Sequence, residues 1–405
     1  MNKMQNPKPG SIIYEDWKLH LQTPDQKETG LRSYFYSDSA FQPAEVQYGP
    51  YRVTFPANSG LPAEPQRVGV FTADSHLELN GLTSMEPDAT GYHGGMMFDE
   101  VAALLSLELG VRLHAGGLQL ELSGEGEAPR YQEPEPEETP HFISKGRNRV
   151  VPNLVRDDVD VHQATRLKRL MDLKPKESRM VVLAARAYQK GAWIAESAPD
   201  LALLYFVTAV ELAAKAHFKK LAGGPVERFQ ELHPKLSADL LKLCKTDETL
   251  SEEDAAQGKL VLEEVATKFE DLTESTIQFK DFLMAFLPEP PQKKPSKEYS
   301  LPWTDEDAMR EVFQTVYRVR SKALHAANPI PWPMHKRLWD RGYGPGWEET
   351  SGPEGATAQG FGAVWTGAMA PINLNAFEYI ARSALLAWWD TLLLKPNKGK
   401  NGKKK

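Results

Sequence analysis

The chain has 405 residues, 41% hydrophobic and 25% charged, which is ordinary globular composition with enough apolar material for a sizeable core. Its net charge of −7 excludes a uniformly basic nucleic-acid coat, so any nucleic-acid site has to be a local patch. The one cysteine, Cys244, excludes an internal disulfide and a cysteine metal cluster and fits a reducing, cytoplasmic setting.

Residues 1–11 are polar, hold two prolines and lack the apolar core of a signal peptide. No window approaches the run of about 18 apolar residues that a membrane span needs, so no membrane partner is expected. The first part of the chain reads as β-rich. Short segments carrying β-branched or aromatic residues lie at Ser11–Leu21, Leu31–Ser37, Tyr51–Phe55, Val68–Thr72 and His76–Leu82, separated by Gly, Pro, Asn and Asp. One helix interrupts them at Phe98–Leu109, where Val101, Leu104, Leu105 and Leu109 form a helical stripe. A strand pair, Val111–His114 and Leu118–Leu122, is expected to follow around Gly116-Gly117. Glu133-Pro134-Glu135-Pro136-Glu137-Glu138 then marks an extended acidic linker.

From Glu177 the periodicity predicts helices over Glu177–Ser197, Pro199–Leu221, Val226–Lys245, Ser251–Leu287, Thr304–Ala327 and Ile372–Leu394. Pro199 and Pro371 support two of the starts. Between the last two helices, Asn328–Pro371 is irregular and holds Trp332, Trp339, Trp347 and Trp365, which argues for packing against something. The fold class expected is α+β multidomain. Residues 1–140 form a β-rich sensing or targeting domain, 141–175 a connector, and 176–395 an all-α bundle with an insertion at 328–371. Residues 396–405 form a basic disordered tail.

The segment that carries chemistry is Tyr317-Arg318-Val319-Arg320-Ser321-Lys322-Ala323-Leu324-His325. The apolar stripe of its helix runs Met309, Val312, Phe313, Val316, Ala323, Ala327, and Arg320 falls within that stripe. A cation there is costly unless it is paired. The earlier helix offers a partner: between Leu201 and Ala214 the only charge is Glu211. Glu211 is therefore expected to face Arg320 and orient it, either as a purely structural salt bridge or as part of a site. Glu211 and Lys215, four apart, form an ordinary helix-surface pair on a third reading. His325, five residues after Arg320, is rotated from it by about 140° on an ideal helix. It shares a face with Arg318 and Lys322 instead. Either the helix ends or distorts near His325, or the site lies in a groove shared with a second subunit.

An arginine followed after four to six residues by a histidine, near the end of a bundle helix, resembles the signature of the HEPN superfamily, most closely its Apea-like branch. Arg320 and His325 fit with four residues between, and Arg318 and His325 with six. Glu211-Leu212-Ala213-Ala214-Lys215 is similar to the Glu-x-x-x-Lys element on an earlier helix of many such domains, and the helix Phe377–Leu394 fits the same layout. Where the family has Asn, Asp or His after the arginine, this chain has Ser321. The resemblance covers the C-terminal half. It implies a metal-independent endoribonuclease without cofactors, with Arg320 and His325 catalytic and Glu211, Lys215, Arg318 and Ser321 in support. It also implies RNA as partner, a homodimer, products ending in 2′,3′-cyclic phosphate, and by analogy a toxin or anti-phage effector. The alternative is a non-catalytic HEPN-like module for dimerisation or ligand binding. No P-loop, nucleophile elbow or zinc helix is present. Gly91-Tyr92-His93-Gly94-Gly95 reads as a turn, and His141 and His162 are too scattered for a metal.

Overall fold

The computed structural model describes residues 10–24, 29–56, 66–75, 96–116, 148–218, 224–243, 252–338, 346–352, 356–358 and 363–394. The expected segments His76–Leu82 and Leu118–Leu122, the turn at 91–95, the acidic stretch 133–138, His141, Cys244, Trp339 and the basic tail lie outside the described residues.

The chain is α+β: a small antiparallel sheet comes first and helices dominate the C-terminal part. Strands β1 (Thr29–Ser37), β2 (Ala44–Tyr48), β3 (Tyr51–Phe55), β4 (Gln66–Ser75) and β5 (His114–Ala115) form one sheet in the order β2-β3-β4-β1-β5. β1 and β4 pair in register from Thr29↔Ser75 to Phe35↔Gly69, and the register slips between Phe35 and Tyr36. β3 alternates buried Tyr51, Val53 and Phe55 with outward Arg52 and Thr54, the pattern of a half-buried strand. β2 is a strand that the sequence pattern does not announce.

The expected strand at Ser11–Leu21 is instead helix α1 (Ile12–Gln22). Its buried residues Ile13, Tyr14, Asp16 and Trp17 follow helical spacing, which a strand's two-residue alternation cannot bury on one face. The Glu100 carboxylate accepts from the backbone N–H groups of Ile12 and Ile13 at 3.1 and 3.0 Å, satisfying two donors that the helix start leaves open. Glu100 belongs to α2 (Met97–Leu109), a helix buried almost all round.

Residues 148–173 run through three short 3₁₀ turns, and their Val151, Leu154, Val159, Val161, Leu167 and Leu170 are buried. The same hydrophobic core takes in Phe35 and Phe71 of the sheet, Leu104 of α2 and Trp388 and Trp389 near the C-terminal end.

The helical part opens with the hairpin α3 (Pro175–Ile194) and α4 (Pro199–His217). These helices approach closely at Gly191, where a Cβ would lie 2.9 Å from the Phe206 ring. The stretch expected as one helix from Val226 to Lys245 is two, α5 (Pro225–Leu232) and α6 (Pro234–Leu243). Pro234 disfavours helix at His233, which is where the break falls. Ser251–Leu287 likewise divides at Phe269 into α7 (Glu252–Lys268) and α8 (Glu270–Ala285). α9 (Glu306–Ala326) packs on α8 and α4. The insertion contributes the one-turn α10 (Trp332–His335) and the hairpin β6 (Ala356–Ala358) and β7 (Ala363–Trp365). α11 (Leu374–Leu393) closes the described bundle.

Candidate functional site

α9 starts on Asp305, whose carboxylate accepts from the Ala308 N–H at 3.0 Å, with Glu306 and Asp307 in the positive first turn. Met309, Val312, Phe313, Val316 and Tyr317 are buried against the bundle. Arg320 continues that face and meets the counter-charge expected of it. Its Nη2 donates to Glu211 Oε2 on α4 at 2.7 Å, with the two side chains 17% and 20% exposed.

A third member joins the pair. The Tyr317 hydroxyl donates to the other oxygen, Glu211 Oε1, at 2.9 Å, and the Arg320 guanidinium carbon lies 5.6 Å from the centre of the Tyr317 ring. Burial, then the Glu211 charge, push the Tyr317 phenol well above its ordinary value, opposed by the Arg320 charge and then by a hydrogen bond with Ser275 on α8. Tyr317 is therefore a fixed neutral donor. Arg320 Nε is buried without a partner among the described residues. Tyr317 precedes Arg320 by three, so it shares its helix face. Sequence patterning does not single it out, because it sits in an apolar stripe where an aromatic ring passes as core.

The other site candidates stand apart from this cluster. His325 is exposed, and so are Arg318, Lys322 and Lys215, while Ser321 is half-buried. Arg318 donates to the Thr315 hydroxyl at 3.0 Å. Of the two alternatives for His325, the helix does end near it, but only after it, so that ending does not turn His325 toward Arg320. α9 runs through His325 to Ala326 and stops on Ala327, which takes the left-handed conformation with φ 50°. Within one chain Arg320 faces α4 and His325 faces solvent, so the two do not converge.

Chemically, the arrangement is a guanidinium held by a carboxylate and laid against a phenol ring, 17% open to solvent. Such a group stays charged, and with Nη2 on Glu211 and Nε buried it has Nη1 left for a phosphate oxygen. The described part of the insertion packs elsewhere. Trp332 and His335 line a cavity with Glu196 and Pro199, and Trp347 lines another beside α11. Among the described residues no helix is long and apolar enough to cross a membrane, and no group of three or more His, Cys, Asp or Glu is placed to hold a metal. No protein-family model matches this chain, and neither a curated protein nor a solved structure matches it significantly.

Proposed function

We propose that the chain is a metal-independent endoribonuclease of HEPN type, with Arg320 and His325 in a site completed by a second subunit. The observation that supports this most is the Glu211–Arg320 pair at 2.7 Å, which joins the two helices carrying the Glu-x-x-x-Lys and Arg…His elements of the resemblance. In the reaction the RNA 2′-oxygen bonds to phosphorus as the bond to the 5′-oxygen breaks. One proton leaves the 2′-hydroxyl and one is delivered to the 5′-oxygen, giving a 2′,3′-cyclic phosphate and a 5′-hydroxyl. An imidazole titrates near neutrality and suits the proton transfer, and the guanidinium suits the charge that gathers on the phosphorane. A role as toxin or anti-phage effector rests on analogy with other such architectures.

A second reading, a non-catalytic HEPN-like module for dimerisation or ligand binding, is favoured by the divergence of Arg320 from His325 within one chain. Purified full-length protein incubated with mixed RNA in chelator separates the two. The first reading expects cyclic-phosphate ends that vanish in Arg320→Ala and in His325→Ala, both variants keeping the wild-type circular dichroism. Intact RNA from the wild type supports the second, and cleavage that survives both substitutions places the site elsewhere.

A further inference from the structure

A cavity of about 600 Å³ opens where the end of α2, the turn at 152–156, the stretch 291–293, residues 347–349 of the insertion and the first turns of α11 meet. None of its lining residues belongs to the Glu211–Arg320–Tyr317 cluster. Its size falls in the ordinary range of small-ligand sites.

Three aromatic side chains line it: Trp303, Trp347 and Tyr379. Trp303 and Tyr379 meet edge to face with centroids 6.4 Å apart. Their polar atoms are already used, since Trp303 Nε1 donates to Glu349 Oε2 at 2.9 Å and the Tyr379 hydroxyl to the Glu289 carbonyl at 2.9 Å. What they offer the cavity is aromatic surface. Trp347 is 36% exposed, a ring at the mouth with little protein over it.

Glu349 is the informative wall residue. It is 3% exposed. Its Oε2 also accepts from the Leu301 N–H at 2.7 Å, but its Oε1 is buried and has no donor among the described residues. The backbone fixes it from both sides, through Glu349 N–H to the Tyr299 carbonyl at 2.9 Å and Asn373 N–H to the Glu349 carbonyl at 2.8 Å. A buried carboxylate oxygen left without a donor is costly.

Two arginines and a lysine share the rest of the wall with mostly neutral residues. Arg382 donates to the carbonyls of Leu107 and Glu108, and Arg156 to that of Leu109 at 3.2 Å, so both are anchored on the negative end of α2. Gly110, at φ 64°, permits this: a Cβ there would stand 2.6 Å from the Arg382 guanidinium carbon. Lys293 adds an exposed ammonium at the rim. Glu378 also lines the wall; its carboxylate accepts from the Tyr188 hydroxyl at 2.6 Å, and burial pushes its pKa up against the opposing charge of Arg382, which it therefore partly offsets.

From the aromatic surface, the single unmet acceptor and the cations we infer that this cavity binds a nucleoside monophosphate whose base carries an amino group. The base lies against Trp303, Trp347 and Tyr379, where stacking on aromatic rings is worth about 1–3 kcal/mol per base. Its amino N–H donates to Glu349 Oε1 once the side chains covering that buried oxygen move aside, and the phosphate meets Arg156 and Lys293 at the mouth. This site stands apart from RNA cleavage and is read by binding alone.

The test is titration of the full chain with adenosine 5′-monophosphate, followed by tryptophan fluorescence and calorimetry. Purine riboside 5′-monophosphate, which lacks the amino group, adenosine and inorganic phosphate serve as comparisons. The nucleotide should quench the fluorescence, and each of the three comparison compounds should bind at least about tenfold more weakly, because a site built around an unmet acceptor rejects the analogue that cannot fill it. Glu349→Gln sets an amide N–H₂ where the free acceptor stood and should lose a similar factor. Trp347→Ala, at an exposed ring, should weaken binding with the melting temperature unchanged, and it stands as the test if Glu349→Gln fails to fold. No binding of the nucleotide overturns the inference. So does equal binding of purine riboside monophosphate or of adenosine, or wild-type affinity in a folded Glu349→Gln or Trp347→Ala protein.

Discussion

A guanidinium placed between Val316 and Ala323 on the inner face of a helix needs a counter-charge, and Glu211 meets it from α4 while also accepting the Tyr317 hydroxyl. Both charged side chains are less than a quarter exposed, so the pair is only partly screened by solvent. Removing one charge leaves the other in a setting built for two, and the loss exceeds that of a surface pair. Glu211→Gln is expected to lower unfolding stability by about 2 kcal/mol, the scale of a charged hydrogen bond lost in a part-buried place. Urea denaturation measures it, and an unchanged midpoint would show that solvent already screens the pair. The two charges are legible in the sequence because each interrupts an apolar run. Tyr317 is not, since a tyrosine in an apolar stripe gives no sign of which atom its hydroxyl will reach.

Elements whose burial matches their own periodicity are closely legible in the chain. β3 has the expected bounds, Tyr51–Phe55, and α2, α3, α9 and α11 lie within about three residues of theirs. α1 is not legible, because its order depends on partners far along the chain: Glu100 at its start and the Tyr51 hydroxyl on Asp16 at 2.9 Å. The breaks at His233 and Phe269 differ in kind. Pro234 announces the first, while the second has no proline or glycine beside it. Two predictions belong to element ends. Ala327 holds the left-handed stop of α9, a conformation that costs an L-residue with a Cβ about 1 kcal/mol or more. Ala327→Gly should therefore raise stability by about 0.5–1 kcal/mol once the greater freedom of the unfolded glycine is set against it, and a thermal melt checks this. At the end of α2, Glu108 is 6% exposed and accepts from the Arg166 and Leu167 N–H groups at 2.8 Å each. Burial, opposed by those bonds and by the Arg166 charge, pushes its carboxyl from the ordinary 4.5 up to about 7. The folded state thus holds this proton more tightly than the unfolded chain does. The stability this gives is complete below about pH 4.5 and is lost as pH rises through about 7, roughly 3 kcal/mol in all. Unfolding curves at pH 5 and pH 8 should differ less in Glu108→Gln than in the wild type, and an equal difference would mean that Glu108 is ionised throughout.

Across the whole molecule, the continuous core ties the sheet, the 148–173 turns and the helices together, yet it leaves the two residues of the Arg…His element on different sides of α9. One chain alone brings no imidazole to Arg320 among the described residues. Beside the motif, Leu324 is 51% exposed and His325 sits in the last turn, so the end of α9 presents an apolar residue and a histidine to solvent together. A two-fold axis next to α9 would set the same patch against itself and bring the histidine of one copy to the arginine of the other. Under the proposed ribonuclease reading this geometry makes a distinctive prediction. Arg320→Ala and His325→Ala are each inactive alone, but equal amounts unfolded and refolded together should recover about a quarter of wild-type cleavage, because half the dimers are mixed and one of their two composite sites is intact. Light scattering on the same samples should report a dimer. A mixture that stays inactive while each variant remains dimeric would rule out a shared site, and a monomer that cuts RNA would require a histidine from elsewhere in its own chain.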